Sequence, residues 1–210
     1  MILTKIALPT EPKSLKEESN IKARNALLTA PHILPLTQYA ATLRERLGQN
    51  VFVPNFDPLD GGINAEFVFL FEKPGPKTDS TNGGSGFISR DNNDETAKSV
   101  FEFMNRIGLD RKRTLLWNTI PAWDGSRSFK GLHVKAGIQM LDELFPLLPH
   151  VKTVILVGKQ AQKAEKWLNN QNVTIFKSAH PSPIVRARSR SMWESIPYSW
   201  AKAVSILKGP

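Results

Sequence analysis

Four short apolar runs, at residues 66–72, 114–121, 153–158 and 173–179, set most of what this chain can fold into. Each has the length of a strand, is rich in β-branched, leucine or aromatic residues, and has few polar interruptions. A run that is apolar on both alternating faces must be covered on both sides, as in a parallel sheet flanked by helices. Helical patterns lie between the runs. Asn93 or Asp94 can cap a helix that carries Val100, Phe101, Met104 and Ile107 at three- and four-residue spacing and stops near Gly108. Residues 130–148, 159–168 and 192–207 carry further helical patterns. A helix around 36–47, ended by Gly48, precedes the first run. The alternation predicts an α/β chain: a three-layer α/β/α sandwich with a central four-stranded, mainly parallel sheet.

At 210 residues the chain suits a single domain over 21–210, preceded by a polar N-terminal arm over 1–20. Two segments are loops by composition, 54–63 and 75–93. The second is long enough to suggest a functional role. The formal net charge of +9 favours a polyanionic partner. From Lys166 to Trp193 there are five basic residues and no acidic one. With no cysteine, the chain excludes disulfides, thiolate nucleophiles and cysteine-bound metal or iron–sulfur centres. Residues 1–10 lack a signal-peptide pattern and no stretch reaches membrane-span length, so a soluble cytoplasmic or nucleoid-associated protein with no membrane partner is expected, and a monomer is the expected state.

Candidate chemistry sits where the runs end, the usual place for a site in an open α/β sheet. The last run exits into His180-Pro181-Ser182-Pro183-Ile184, followed by Arg186, Arg188 and Arg190. A neutral imidazole there can donate to an oxygen that is gaining negative charge. The first run exits into Glu72-Lys73-Pro74-Gly75-Pro76, where Lys73 can meet phosphate, act as an amine nucleophile or simply be a surface lysine. Phe87, among small residues, is either a loop anchor or a face for stacking a base. Asn118 ends the second run. Its amide, both donor and acceptor, either caps a turn or reads the edge of an amide-like base.

In this order the motifs resemble the uracil-DNA glycosylase superfamily over about residues 53–184. Phe71-Glu72-Lys73-Pro74-Gly75-Pro76 is similar to its first motif, Gly86-Phe87-Ile88-Ser89-Arg90 to its stacking segment, and Trp117-Asn118-Thr119-Ile120-Pro121 to its base-reading strand end. Val157-Gly158-Lys159-Gln160-Ala161 resembles a strand-to-helix turn of the family, and His180-Pro181-Ser182-Pro183-Ile184 its second catalytic motif. The resemblance implies a monofunctional enzyme that flips a deoxyuridine out of DNA and hydrolyses its N-glycosidic bond, with no cofactor or metal. It implies catalytic roles for His180 and for the Glu72–Lys73 position, and uracil binding by Phe87 (stacking) and Asn118 (O4 and N3–H). It further implies an apolar wedge at Ile184 and phosphate contacts from Ser182, Arg186, Arg188 and Arg190.

Three departures from the family pattern matter. Lys73 stands where members carry a water-positioning Asp or Asn, and a protonated amine repels a cationic sugar. Glu72, Asp57, Asp60 or Asp91 would have to supply the missing negative charge. Gly75 stands where the most uracil-specific members carry a Tyr that excludes thymine's methyl group. The thermophilic branch with similar Glu-X-Pro-Gly motifs holds a cysteine-bound cluster, which this chain cannot. The expected partner is therefore uracil-containing or mismatched DNA. A glycosylase-like DNA-binding module without catalysis is the alternative. A nucleotide-binding α/β protein is a third reading, although the chain has no glycine-rich phosphate fingerprint.

Overall fold

The computed structural model describes residues 7–206 and makes a strand of each of the four apolar runs. Residues 1–6 of the expected arm, and Leu207 at the end of the last expected helix, lie outside the described residues. In chain order the strands are β1 (Asn55–Phe56), β2 (Phe67–Phe71), β3 (Phe87–Ile88), β4 (Thr114–Asn118), β5 (Thr153–Val157) and β6 (Thr174–Ser178). The helices are α1 (Glu18–Asn25), α2 (Leu34–Leu47), α3 (Glu95–Arg106), α4 (Gly131–Leu144), α5 (Glu165–Leu168), α6 (Pro183–Arg188), α7 (Arg190–Glu194) and α8 (Ile196–Ser205). The main sheet has the order β4-β2-β5-β6, and every pairing in it is parallel. β1 and β3 form a separate two-stranded parallel pair. No described helix is long and apolar enough to cross a membrane.

Strands β2, β4 and β5 are buried at every position, as continuous apolar runs require. Successive side chains point to opposite faces. Phe69 therefore meets Trp200 of α8 on one face, with ring centres 4.9 Å apart. On the other face Trp117 stacks on Phe56 at 3.8 Å and contacts Tyr39 of α2. Phe103 of α3 joins the first layer against Trp200, and the Tyr39 hydroxyl donates to the Met140 carbonyl of α4 in the second. Helices α3 and α8 thus cover one face and α2 and α4 the other, giving the expected three layers.

Three expected helices are shorter than their hydrophobic patterns, and proline accounts for two of them. Pro146 has no N–H to continue α4, so the chain tightens into a 3-10 turn at Phe145–Leu147. Pro197 sits in the first turn of α8 and splits the 192–207 pattern into α7 and α8. Over 159–168 the chain forms a 3-10 segment followed by the single turn of α5. The two loops also hold structure: 54–63 contains β1, and 75–93 contains two 3-10 turns and β3.

Beneath these loops lies a feature the sequence patterns do not mark, a buried cluster of three arginines and three aspartates. Arg24, Asp57, Asp60, Arg90, Asp91 and Arg111 are each at most 7% exposed. Arg111 reaches Asp57 and Asp91 at 2.7 Å and Asp60 at 2.9 Å. Arg24 reaches Asp57 at 2.9 Å and Asp91 at 2.7 Å. Arg90 reaches Asp60 at 3.4 Å and also donates to Thr114. The charges balance, which offsets the desolvation each ion would otherwise suffer. Arg24 ties α1 to the rest of the domain. Just before it, Leu15 is buried and donates its N–H to the Asp91 carbonyl at 3.0 Å.

Candidate active site

A cleft of about 450 Å³ opens at the carboxyl ends of β2 and β4 and beside the exit of β6. The topology explains its place. Adjacent strands β2 and β5 send their chains to opposite faces: β2 leads to α3, while β5 leads to α5, whose Trp167 packs on Phe145 beyond α4. A crevice at such a switch point is the standard ligand site of an open α/β sheet. In register, Phe71 pairs with Asn118, so both side chains face the α3 side and line the cleft.

His180 lines the same cleft, its ring edge-on to Phe71 at 5.9 Å and 83°. Room for that ring depends on Gly158. A Cβ there would lie 3.2 Å from the His180 Cβ and 3.3 Å from Cδ2, and its φ of 90° is a conformation glycine adopts freely. Burial pushes the His180 imidazole down to about 4, so it is neutral at physiological pH.

The folded state therefore resists protonating His180 at pH values where the unfolded chain, near pH 6.5, accepts the proton. Its contribution to stability is present above about pH 6.5 and is lost as pH falls toward 4, about 3 kcal/mol in all. Asp60, pushed up to about 6 by burial, acts in the opposite sense over part of this window. A His180→Gln variant isolates the histidine. From pH 7.5 to pH 4 the wild type should lose about 3 kcal/mol relative to this variant in urea denaturation. A difference independent of pH would contradict the depressed imidazole.

Lys73 also borders the cleft, but its amine is committed elsewhere. Nζ donates to Asp124 Oδ1 at 2.6 Å and to the Ser126 and Ser128 carbonyls at 2.9 and 3.3 Å. It lies 5.6 Å from the centre of the Trp123 ring, and the side chain is only 5% exposed. Glu72 points away from the cleft, as strand alternation dictates. Its carbonyl accepts from the Ile120 N–H at 2.9 Å, and burial raises its carboxyl against the pull of Lys163 and Lys73.

Several expectations change at this point. Phe87, expected to stack on a base, is fully buried and does not line the cleft. Neighbouring residues of β3 point to opposite sides, so Ile88 faces the cleft instead. Asp57, Asp60 and Asp91, named as possible acids, are tied up in the buried ion cluster. The carboxylates that do line the cleft are Asp94 and Glu95. Burial raises the Asp94 carboxyl even though it accepts backbone N–H groups at the start of α3. A helix-cap pattern was legible at Asp94; its position on the cleft was not.

Ser182 lines the cleft and caps α6, accepting from the Val185 N–H at 3.4 Å. Ile184 stands at the mouth, 59% exposed. Arg186, Arg188 and Arg190 are exposed on α6 and α7 but do not line the cleft. The Arg186 guanidinium lies 5.0 Å from the Trp193 ring centre, and Arg190 pairs with Glu194 at 2.8 Å. Among the described residues no group of three or more His, Asp or Glu side chains is placed to hold a metal ion.

Residues 58–202, more than half of the chain, match the family model of the uracil DNA glycosylase superfamily. Among solved structures, a crystal structure of a mimivirus UNG variant in complex with UGI is similar at 13% identity and a TM-score of 0.43. That alignment covers 86% of this chain and 74% of the other. No curated protein matches the chain.

Proposed function

This chain belongs to the uracil DNA glycosylase superfamily, and from that premise we propose that it hydrolyses the N-glycosidic bond of uracil, or of a related deaminated base, in DNA. The observation that carries the reading is the meeting of Asn118 and His180 in one cleft walled by Phe71 and Ile88. The Asn118 amide offers a donor and an acceptor to the O4 and N3–H edge of uracil. Cytosine would present an amino group to the amide's donor. The neutral His180 imidazole donates to O2 as the departing base gathers negative charge, without itself needing to lose or gain a proton. Ile184, exposed at the mouth, fills the gap left in the stack when the nucleotide swings out.

The sugar becomes cationic as the bond breaks, and Asp94 supplies the negative charge that Lys73 does not. Lys73 already spends its donors on three acceptors, which favours simple hydrolysis over attack by the amine. Borohydride should accordingly trap no protein–DNA adduct. The proposed substrate is uracil-containing or mismatched DNA, acted on by a monomer. Beside Gly75 there is open space where a side chain would stand, so thymine's methyl group meets no block there.

Single-turnover assays on U:G, U:A, single-stranded U, T:G and hypoxanthine DNA, followed by alkaline cleavage, test the reading. The expected result is abasic product from at least one of these uracil substrates. Salt-sensitive DNA binding with no base released from any substrate at micromolar enzyme would instead mean a DNA-binding module without catalysis.

A further inference from the structure

Lys73 is the residue that departs most sharply from the family pattern, and its partners show what it does instead. Its three acceptors come from positions 124, 126 and 128 of one exposed loop. The same loop is tightened by two local bonds, Ser126 N–H to Asp124 Oδ1 and Ser128 N–H to Ser126 Oγ, both 3.0 Å. Residues 124–128 are all exposed, so no apolar packing holds them. Ordering such a loop costs backbone entropy at every residue. The Lys73 ammonium, reaching out from the end of β2, ties three of these positions and so opposes that cost.

The residue enclosed by these contacts is Arg127. It is exposed, lines the cleft, and makes no ion pair among the described residues. Ile184 lies on the same cleft, contributed by the His180 segment, and the exposed Lys77 lines it as well. An arginine on a restrained loop can offer its planar fork to a phosphate with less loss of freedom than one on a floppy loop.

We propose that Arg127 grips a phosphate flanking the extruded nucleotide, and that Lys73 is the positioning residue that holds the Arg127 loop against the cleft. The inference rests on the DNA reading above and extends it to a phosphate contact that the base-reading and leaving-group residues do not supply. Lys73 then touches no reacting atom. Its charge is neutralised by Asp124, which reduces its repulsion of a cationic sugar.

The test is binding, measured against salt, to a U:G duplex carrying 2′-fluoro-2′-deoxyuridine, whose fluorine disfavours a cationic sugar and so slows hydrolysis. Arg127→Ala should weaken binding and lower the log–log salt slope by about 0.9, one phosphate contact. Arg127→Lys should keep most of that slope. Lys73→Met should lose the same slope, and the Lys73→Met/Arg127→Ala double variant should bind no more weakly than Arg127→Ala alone. Asp124→Ala, at an exposed position, gives the same comparison should Lys73→Met not fold. An unchanged slope in Arg127→Ala, or additive losses in the double variant, overturns the proposal while wild-type binding leaves the DNA reading intact. A wild type with no salt-dependent binding removes both.

Discussion

His180→Ala is expected to slow base release in single turnover by about 10²–10³-fold, the usual effect of removing one donor from a site where an oxyanion forms. Affinity for the uracil-containing duplex should change little, because the imidazole interacts most strongly with charge that develops only as the bond breaks. Three observations support that division. The ring lines the cleft, it sits edge-on to Phe71, and burial holds it near a pKa of about 4, so it enters the reaction neutral. For the same reason the wild-type rate should show no titration of His180 between pH 6 and 8. A variant whose rate stays within a factor of two of the wild type would remove His180 from the chemistry.

The second large effect is on folding. Arg111→Met removes the one arginine that contacts all three aspartates of the buried cluster, leaving Asp57, Asp60 and Asp91 with only Arg24 and Arg90. Breaking such a cluster from one side costs about 3–5 kcal/mol, because the carboxylates left behind remain buried and under-compensated. A domain is typically stable by only about 5–15 kcal/mol in total. The urea transition followed by tryptophan fluorescence should therefore move to much lower denaturant or lose its cooperativity. Arg190→Ala, which breaks an exposed pair with Glu194, should leave the transition in place. Equal midpoints for wild type and Arg111→Met would contradict the account of the cluster.

The parallel sheet was legible because burial on both faces is written into a strand's own residues. The runs at 66–72, 114–121, 153–158 and 173–179 needed no partner to be recognised. The Asp94 cap and the Gly48 and Gly108 stops were equally local. Asn118 and His180 were legible as candidates because Asn118 ends the apolar stretch of its run and His180 lies just past one. What stayed hidden depends on pairing between distant segments. The ion cluster joins residues 24, 57, 60, 90, 91 and 111, and charged residues in loops look solvated until the fold encloses them. Phe87 and Ile88 are adjacent, and only the pairing of β3 with β1 decides which one faces inward. Lys73 followed a strand as a site residue would, but its acceptors lie fifty-odd positions away, on a loop with no periodicity to reveal it.

Burial places the two halves of the cleft on ground of different firmness. Asn118 leaves β4, an edge strand buried along its whole length, whereas His180 follows β6, the opposite edge strand, which is exposed or half-exposed at most positions. β6 is held from one side by β5 and by the Trp200 indole donating to Ser178 at 2.9 Å. Exposed segments open before buried ones do. When this domain begins to fray, the His180 side of the cleft should therefore loosen first, while the Asn118 wall still stands. Under the proposed function, a loosened molecule of this kind would hold the base without releasing it.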